Sequence, residues 1–224
     1  MRVVLVSLFA LLLAASALGA DGEPRKALTA KGQAIARAVV LKKSDLSAGF
    51  VGHPATDDPL PKGARCDSVD ESDLTVTGDA SSPNFSRDAA GIAVGSSASV
   101  YRTERESSTA WRRAGTDAAV RCFADLVRLT SPAPRKVRIV SAKRIPFPKV
   151  APSAIAYRVV AAVDVGGRTV KAYFDAILLR RGTVQSALVV TSLGRAVGLD
   201  QERALAGVLA ARMAKASVPG GPVA

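Results

Sequence analysis

Histidine is almost missing from this chain: His53 stands alone among 224 residues. A Ser-His-Asp site would have to use it, yet it lies in a proline-punctuated stretch and no strand-turn-helix nucleophile motif accompanies it. Gly95-Ser-Ser-Ala-Ser99 lacks the second glycine that such an elbow needs. Cysteine is confined to Cys66 and Cys122, and one His with two Cys cannot close a zinc site. No glycine-rich phosphate cradle follows a strand. The acidic run Asp67-Ser-Val-Asp-Glu-Ser-Asp73 has neither the central glycine nor the terminal glutamate of a twelve-residue calcium loop, so it reads as a solvated loop. No metal, no cofactor and no catalysis are therefore expected. Aromatics make up only 4% of residues, which leaves Val, Ala and Leu to fill the core. Past residue 20 no run is long and apolar enough to span a bilayer.

Basic residues, by contrast, are abundant, and the formal net charge is +12. Charge of that size draws a protein to anionic surfaces without saying which. Its distribution is uneven. Acids cluster between Asp57 and Asp79, whereas none occurs between Asp125 and Asp164, where Arg128, Arg135, Lys136, Arg138, Lys143, Arg144 and Lys149 gather. That basic stretch suits an acidic cell-wall polymer or anionic lipid, and equally an edge strand kept soluble by charge. Aromatics do not interleave the charges as base stacking requires, so nucleic acid is not an expected partner. At the N-terminus, Met1-Arg2 and an apolar run to Ala20 have the form of an export signal, with cleavage after Ala17, Gly19 or Ala20. Residues 1–20 are thus expected to be a leader, cleaved or, since the run is about long enough to cross a bilayer, retained as an anchor, with 21–217 one domain and 218–224 a disordered tail. The expected location is secreted, in the cell envelope or beyond it.

The middle of the chain is organised by three apolar runs, Ala154–Val165, Thr169–Arg180 and Val184–Leu193. Gly166-Gly167 separates the first pair and suits a two-residue hairpin, because glycine reaches positive φ without steric cost. Both parities of these runs are apolar, as in central strands covered on two faces. A helix capped by Thr29 is expected to about Lys43, and short strands at Leu74–Thr77 and Gly91–Arg102, with a polar turn at Gly78–Asn84. One helix capped near Ser107–Thr109 is expected to run unbroken to Leu129, with Trp111, Ala114, Ala118, Cys122 and Leu126 on its buried stripe. Val137–Pro146 reads as an edge strand, and Asp200 as the cap of a last helix. The expected class is α+β, an antiparallel sheet of about six strands with helices packed against it, in the order α-β-β-α-β-β-β-β-α.

Two cysteines in an exported chain are most simply a disulfide; the rival is a reactive thiol at Cys122, which needs an exposed electropositive setting. One parity of the sheet carries Ser97, Ser99, Tyr101, Arg158, Tyr173, Asp175 and Thr191. These polar groups can line a cleft for a small ligand or a lipid, with Tyr101, Arg158, Tyr173 and Asp175 as contacts, or form a solvated face.

Ser44-Asp45-Leu46-Ser-Ala-Gly49-Phe50 at a helix end, Cys66 before a strand, a helix with Cys122-Phe-Ala-Asp-Leu126 and a hairpin ending Leu178-Leu-Arg-Arg-Gly182 recur together in this chain. The arrangement resembles the extracellular sensor-type domains of actinobacterial membrane serine/threonine kinases and related secreted or lipid-anchored proteins. It is also similar in outline to the Mog1/PsbP-like sandwich. The resemblance implies a non-catalytic domain that binds an envelope ligand, and pairing of Cys66 with Cys122. The chain departs from that pattern in carrying no kinase and no lipid-attachment cysteine.

Overall fold

A computed structural model of the chain describes residues 22–55, 66–130 and 137–216. The leader, the C-terminal tail, Arg135 and Lys136 lie outside these residues. Strands β1 (Arg25–Lys26), β2 (Val51–His53), β3 (Thr75–Ser81), β4 (Asn84–Arg87), β5 (Ile92–Tyr101), β6 (Val137–Ile145), β7 (Ser153–Val165), β8 (Arg168–Arg181) and β9 (Val184–Leu193) form one sheet. Helices α1 (Ala30–Val39), α2 (Glu104–Ala114), α3 (Asp117–Leu129) and α4 (Leu199–Ala216) flank it. The class is α+β, as expected, but the sheet has nine strands rather than about six.

The spatial order is β1-β3-β5-β9-β8-β7-β6, with β4 also on β5 and β2 on β4. Every pairing is antiparallel except β1 with β3. The meander β7-β8-β9 sits at the centre, as its apolar runs predict. Val165 pairs directly with Arg168, so Gly166-Gly167 is the whole turn, with φ of +61° and +78°. Val137–Ile145 is the edge strand that its charge and flanking prolines imply. The extra strands β1, β2 and β4 are two to four residues long. Segments that short carry too few residues to show a period of two.

Helices α1 and α4 cover one face, where Ala36, Val39, Leu205 and Leu209 pack with Val94, Ile177, Leu179 and Leu188. Helix α3 covers the other, with Ala124 and Val127 against Val159, Ala161 and Phe174. Each fully buried Leu or Ile here contributes about 1.5–3 kcal/mol relative to exposure. Helix α1 approaches unusually closely: a Cβ on Gly32 would overlap the Thr77 carbonyl, and one on Gly78 the Gly32 carbonyl. Only two facing glycines let helix backbone and strand backbone meet in this way.

The helix expected to be continuous from Ser107 to Leu129 is two. Thr103 caps α2 through a capping box with Glu106, and Gly115 follows its last residue. Thr116 then caps α3, its hydroxyl accepting from the Ala119 amide at 3.1 Å. The break rotates the second half, so Ala119, Val120, Ala124, Leu126 and Val127 are its buried residues while Cys122 is half-buried. The last helix begins at Leu199, and the Gly198 carbonyl accepts from Gln201 and Glu202. Asp200 therefore sits in the first turn, beside the positive end of the helix dipole, rather than capping it.

Candidate functional site

Cys66 and Cys122 form a disulfide, their Cα atoms 5.7 Å apart. The bond ties the start of the acidic loop to α3. Behind Cys66 a single 3-10 turn, Asp67–Val69, brings Val69 and Glu71 over the face of the sheet that α2 and α3 also cover. The Glu71 amide donates to the Gly22 carbonyl at 2.8 Å, which draws the N-terminal segment alongside.

Between this loop, the end of α2 at Ala114 and strands β5, β8 and β9 lies a cavity of about 120 Å³. Ser97, Ser99 and Tyr101 contribute its β5 wall, Gln185 and Ala187 its β9 wall, and Leu178 its floor on β8. Small side chains at Ser97, Ser99 and Ala187 are what leave the space. Tyr101, 5% exposed, donates its hydroxyl to Glu71 Oε2 at 2.6 Å. Gln185 Nε2 donates to the Ser107 carbonyl at 2.6 Å, anchoring α2. The Tyr157 hydroxyl donates to the Ala114 carbonyl and pins the corner between α2 and α3.

Electrostatically the cavity is acidic. Glu23 and Glu71 line it, and no Lys, Arg or His does among the described residues. Burial pushes the Glu71 carboxyl above its ordinary range, while the Tyr101 hydroxyl and the more distant Arg113 pull it partly back. Burial, then the Glu71 charge, holds the Tyr101 phenol well above its usual value. The Arg113 guanidinium is itself committed: it holds Asp73 in a two-pronged pair at 2.6 and 2.9 Å and donates to the Asp70 carbonyl at 2.6 Å. That pairing holds the exposed Asp73 below the usual carboxylate range. The acidic run is thus not merely solvated, since Glu71 and Asp73 brace the cavity wall.

The polar residues expected to share one parity are divided by the sheet. Val190 pairs with both Val94 and Asp175, and Arg158 with Asp175, so Arg158, Tyr173 and Asp175 lie on the α1/α4 face. Ser97 pairs with Ala187, which pairs with Leu178, so Ser97, Ser99 and Tyr101 lie on the opposite face. Tyr101 and Tyr173 therefore do not form one cleft. Arg158 instead grips Asp175 at 2.6 and 2.8 Å beneath α4. Glu202 of α4 is fully buried beside them, with Oε1 3.5 Å from Arg158 Nη2. Burial and the adjacent Asp175 carboxylate push Glu202 up to about 8, against the pull of Arg158. Glu202 is on the same helical stripe as Leu205, Leu209 and Met213, which is the one sign of its burial that the sequence carries.

His53 on β2 lies 3.3 Å from the Ser86 hydroxyl, which donates to Asp88 at 2.9 Å. Serine occupies the middle of this chain, whereas a nucleophile needs histidine between serine and the acid. Of the basic group, Arg138, Lys143 and Arg144 are exposed on β6. Arg138 and Lys143 pair with Ala162 and Arg158, so the register shift after Ile139 brings these two to one face, while Arg144, opposite Tyr157, faces the other.

No family model and no curated protein matches the chain. Among solved structures, an X-ray structure of an uncharacterized protein from Mycobacterium smegmatis, the Rv0999 ortholog, is similar over 80% of each chain at 14% identity, with a TM-score of 0.32.

Proposed function

We propose that this protein is a secreted, non-enzymatic binding domain of the cell envelope, sensor-like in kind, whose ligand occupies the cavity beside Tyr101. The observation that carries the reading is the cavity itself. Small residues on two central strands leave space under α2, and a buried phenol bonded to a half-buried carboxylate stands in its wall. Binding pockets combine apolar walls with a few fixed polar groups in this way. The resemblance to extracellular sensor-type domains supports binding over catalysis, and so does the order of His53, Ser86 and Asp88. The disulfide supports an oxidising compartment. A thermal-shift screen of small metabolites, lipids and glycans, run in parallel on Ala187→Leu, tests this. Hits that vanish in the filled variant support the site, and a screen without hits refutes it.

A second reading rests on the exposed Arg138, Lys143 and Arg144 along β6. These cations suit an acidic cell-wall polymer or anionic lipid. Such contacts are screened by salt, so sedimentation with cell-wall material should fall at high ionic strength and on replacing the three residues by alanine.

A further inference from the structure

The charge of the cavity runs against the charge of the chain. In a protein of net charge +12, the carboxylates that line it are Glu23 and Glu71. The Arg113 guanidinium pairs with Asp73 and the Asp70 carbonyl and acts on Glu71 only through its charge. Glu71 Oε2 accepts the hydrogen bond of the Tyr101 hydroxyl, and Oε1 takes no hydrogen bond from the described residues. Gln185 spends its amide N–H on the Ser107 carbonyl, which leaves its amide oxygen as an acceptor. These acceptors, with a carboxylate that makes no ion pair among the described residues, favour a donor carrying positive charge. Leu178, Val69 and Ala187 supply an apolar lining for an aliphatic stem. The volume of about 120 Å³ is close to the roughly 150 Å³ that holds a benzene-sized molecule.

Resting on the binding-domain reading above, we propose that the cavity selects small primary ammonium compounds, with the charged nitrogen at Glu71 and a short alkyl stem against Leu178. Three ammonium N–H donors match Glu71 Oε1, the Gln185 amide oxygen and a serine hydroxyl. The cation pairs directly with the Glu71 carboxylate, which Arg113 reaches only through longer-range charge, so binding strengthens as pH rises through the titration of that carboxyl. Carboxylate ligands would meet Glu71 and Glu23 as like charges, and alcohols of the same length would leave Glu71 uncompensated.

The experiment is a calorimetric titration of the full chain with n-butylamine, n-butanol and butyrate, on wild type, Glu71→Gln and Ala187→Leu. Saturable n-butylamine binding, at least tenfold tighter than n-butanol, weakened tenfold or more in Glu71→Gln and lost in Ala187→Leu, is expected. Comparable binding of n-butanol or butyrate that Ala187→Leu removes overturns the ammonium assignment and leaves the cavity reading standing. No saturable binding by any of the three overturns the ammonium assignment, and the wider thermal-shift screen then decides the cavity reading. If Glu71→Gln fails to fold, the ranking of the three probes on wild type decides the assignment.

Discussion

Glu71 and Glu202 show how similar groups acquire different roles. Glu71 faces a cavity and keeps a phenolic donor, whereas Glu202 is sealed under α4 with Asp175 for a neighbour and one shared arginine. With Arg158 and Asp175 both ionised, a proton on Glu202 keeps the buried cluster neutral. The folded chain holds that proton up to about pH 8, while the unfolded chain releases it near 4.5. Folding thus takes up a proton in this window, so the contribution of Glu202 falls as pH rises from about 4.5 to about 8. Glu202→Gln, which imitates the neutral acid, should flatten that slope and leave the variant more stable than wild type above pH 8. Urea denaturation at pH 6 and pH 9 measures this, and an unchanged slope contradicts it. Tyr101→Phe deletes the donor to Glu71 and should cost about 1–2 kcal/mol, since a largely buried acceptor loses its partner. The same urea midpoints report it. Neither acid was legible as a site in the sequence. Glu202 carried a sign in its helical phase, but Glu71 looked like one more acid in a solvated run. Its partner Tyr101 is 30 residues away, and only the fold joins them.

At the scale of elements, what was legible followed the strength of the local pattern. The meander and its Gly166-Gly167 turn rest on long apolar runs and a turn that demands positive φ, and both stand as expected. The polar residues of different strands were assigned to a common parity, but parity is defined within one strand only. Register decides which parities meet, and here it sends Tyr101 to one face and Tyr173 to the other. Gly115-Thr116-Asp117 did carry a stop and a start, a glycine after one helix and a cap before the next. The apolar stripe running across it concealed the break. Thr116→Ala should therefore destabilise the chain by about 1 kcal/mol, the usual loss for an N-cap hydroxyl, whereas a continuous helix would be indifferent or gain. Where α1 crosses β3, Gly78→Ala forces a methyl group into the Gly32 carbonyl. Overpacking against backbone has no rotamer escape, so about 3 kcal/mol or more should be lost. Thermal unfolding of both variants checks these values.

For the whole molecule, the disulfide decides whether the cavity has a fourth wall. Cys66 and Cys122 are 56 residues apart, and the chain between them holds the acidic loop, β3, β4, β5 and α2. Closing a loop of that length stabilises by about 4 kcal/mol in the chain-entropy model. Replacing both cysteines by serine should lower stability by an amount of that order. It should also free the Val69–Glu71 segment from α3 and weaken any ligand held at Glu71. Net charge acts on the same scale in the opposite sense. The cations on β6 attract anionic surfaces over a distance set by salt, while the acidic cavity presents a local field of the other sign. The two candidate functions are therefore separable by ionic strength.

The most direct test of the central claim is a two-dimensional amide NMR titration of the chain with n-butylammonium chloride at constant ionic strength. Saturable shifts concentrated at Glu71, Ser97, Ser99, Tyr101 and Gln185 are expected, with β6 unmoved. Linear, unsaturable shifts, or saturable shifts confined to Arg138–Arg144, would contradict it.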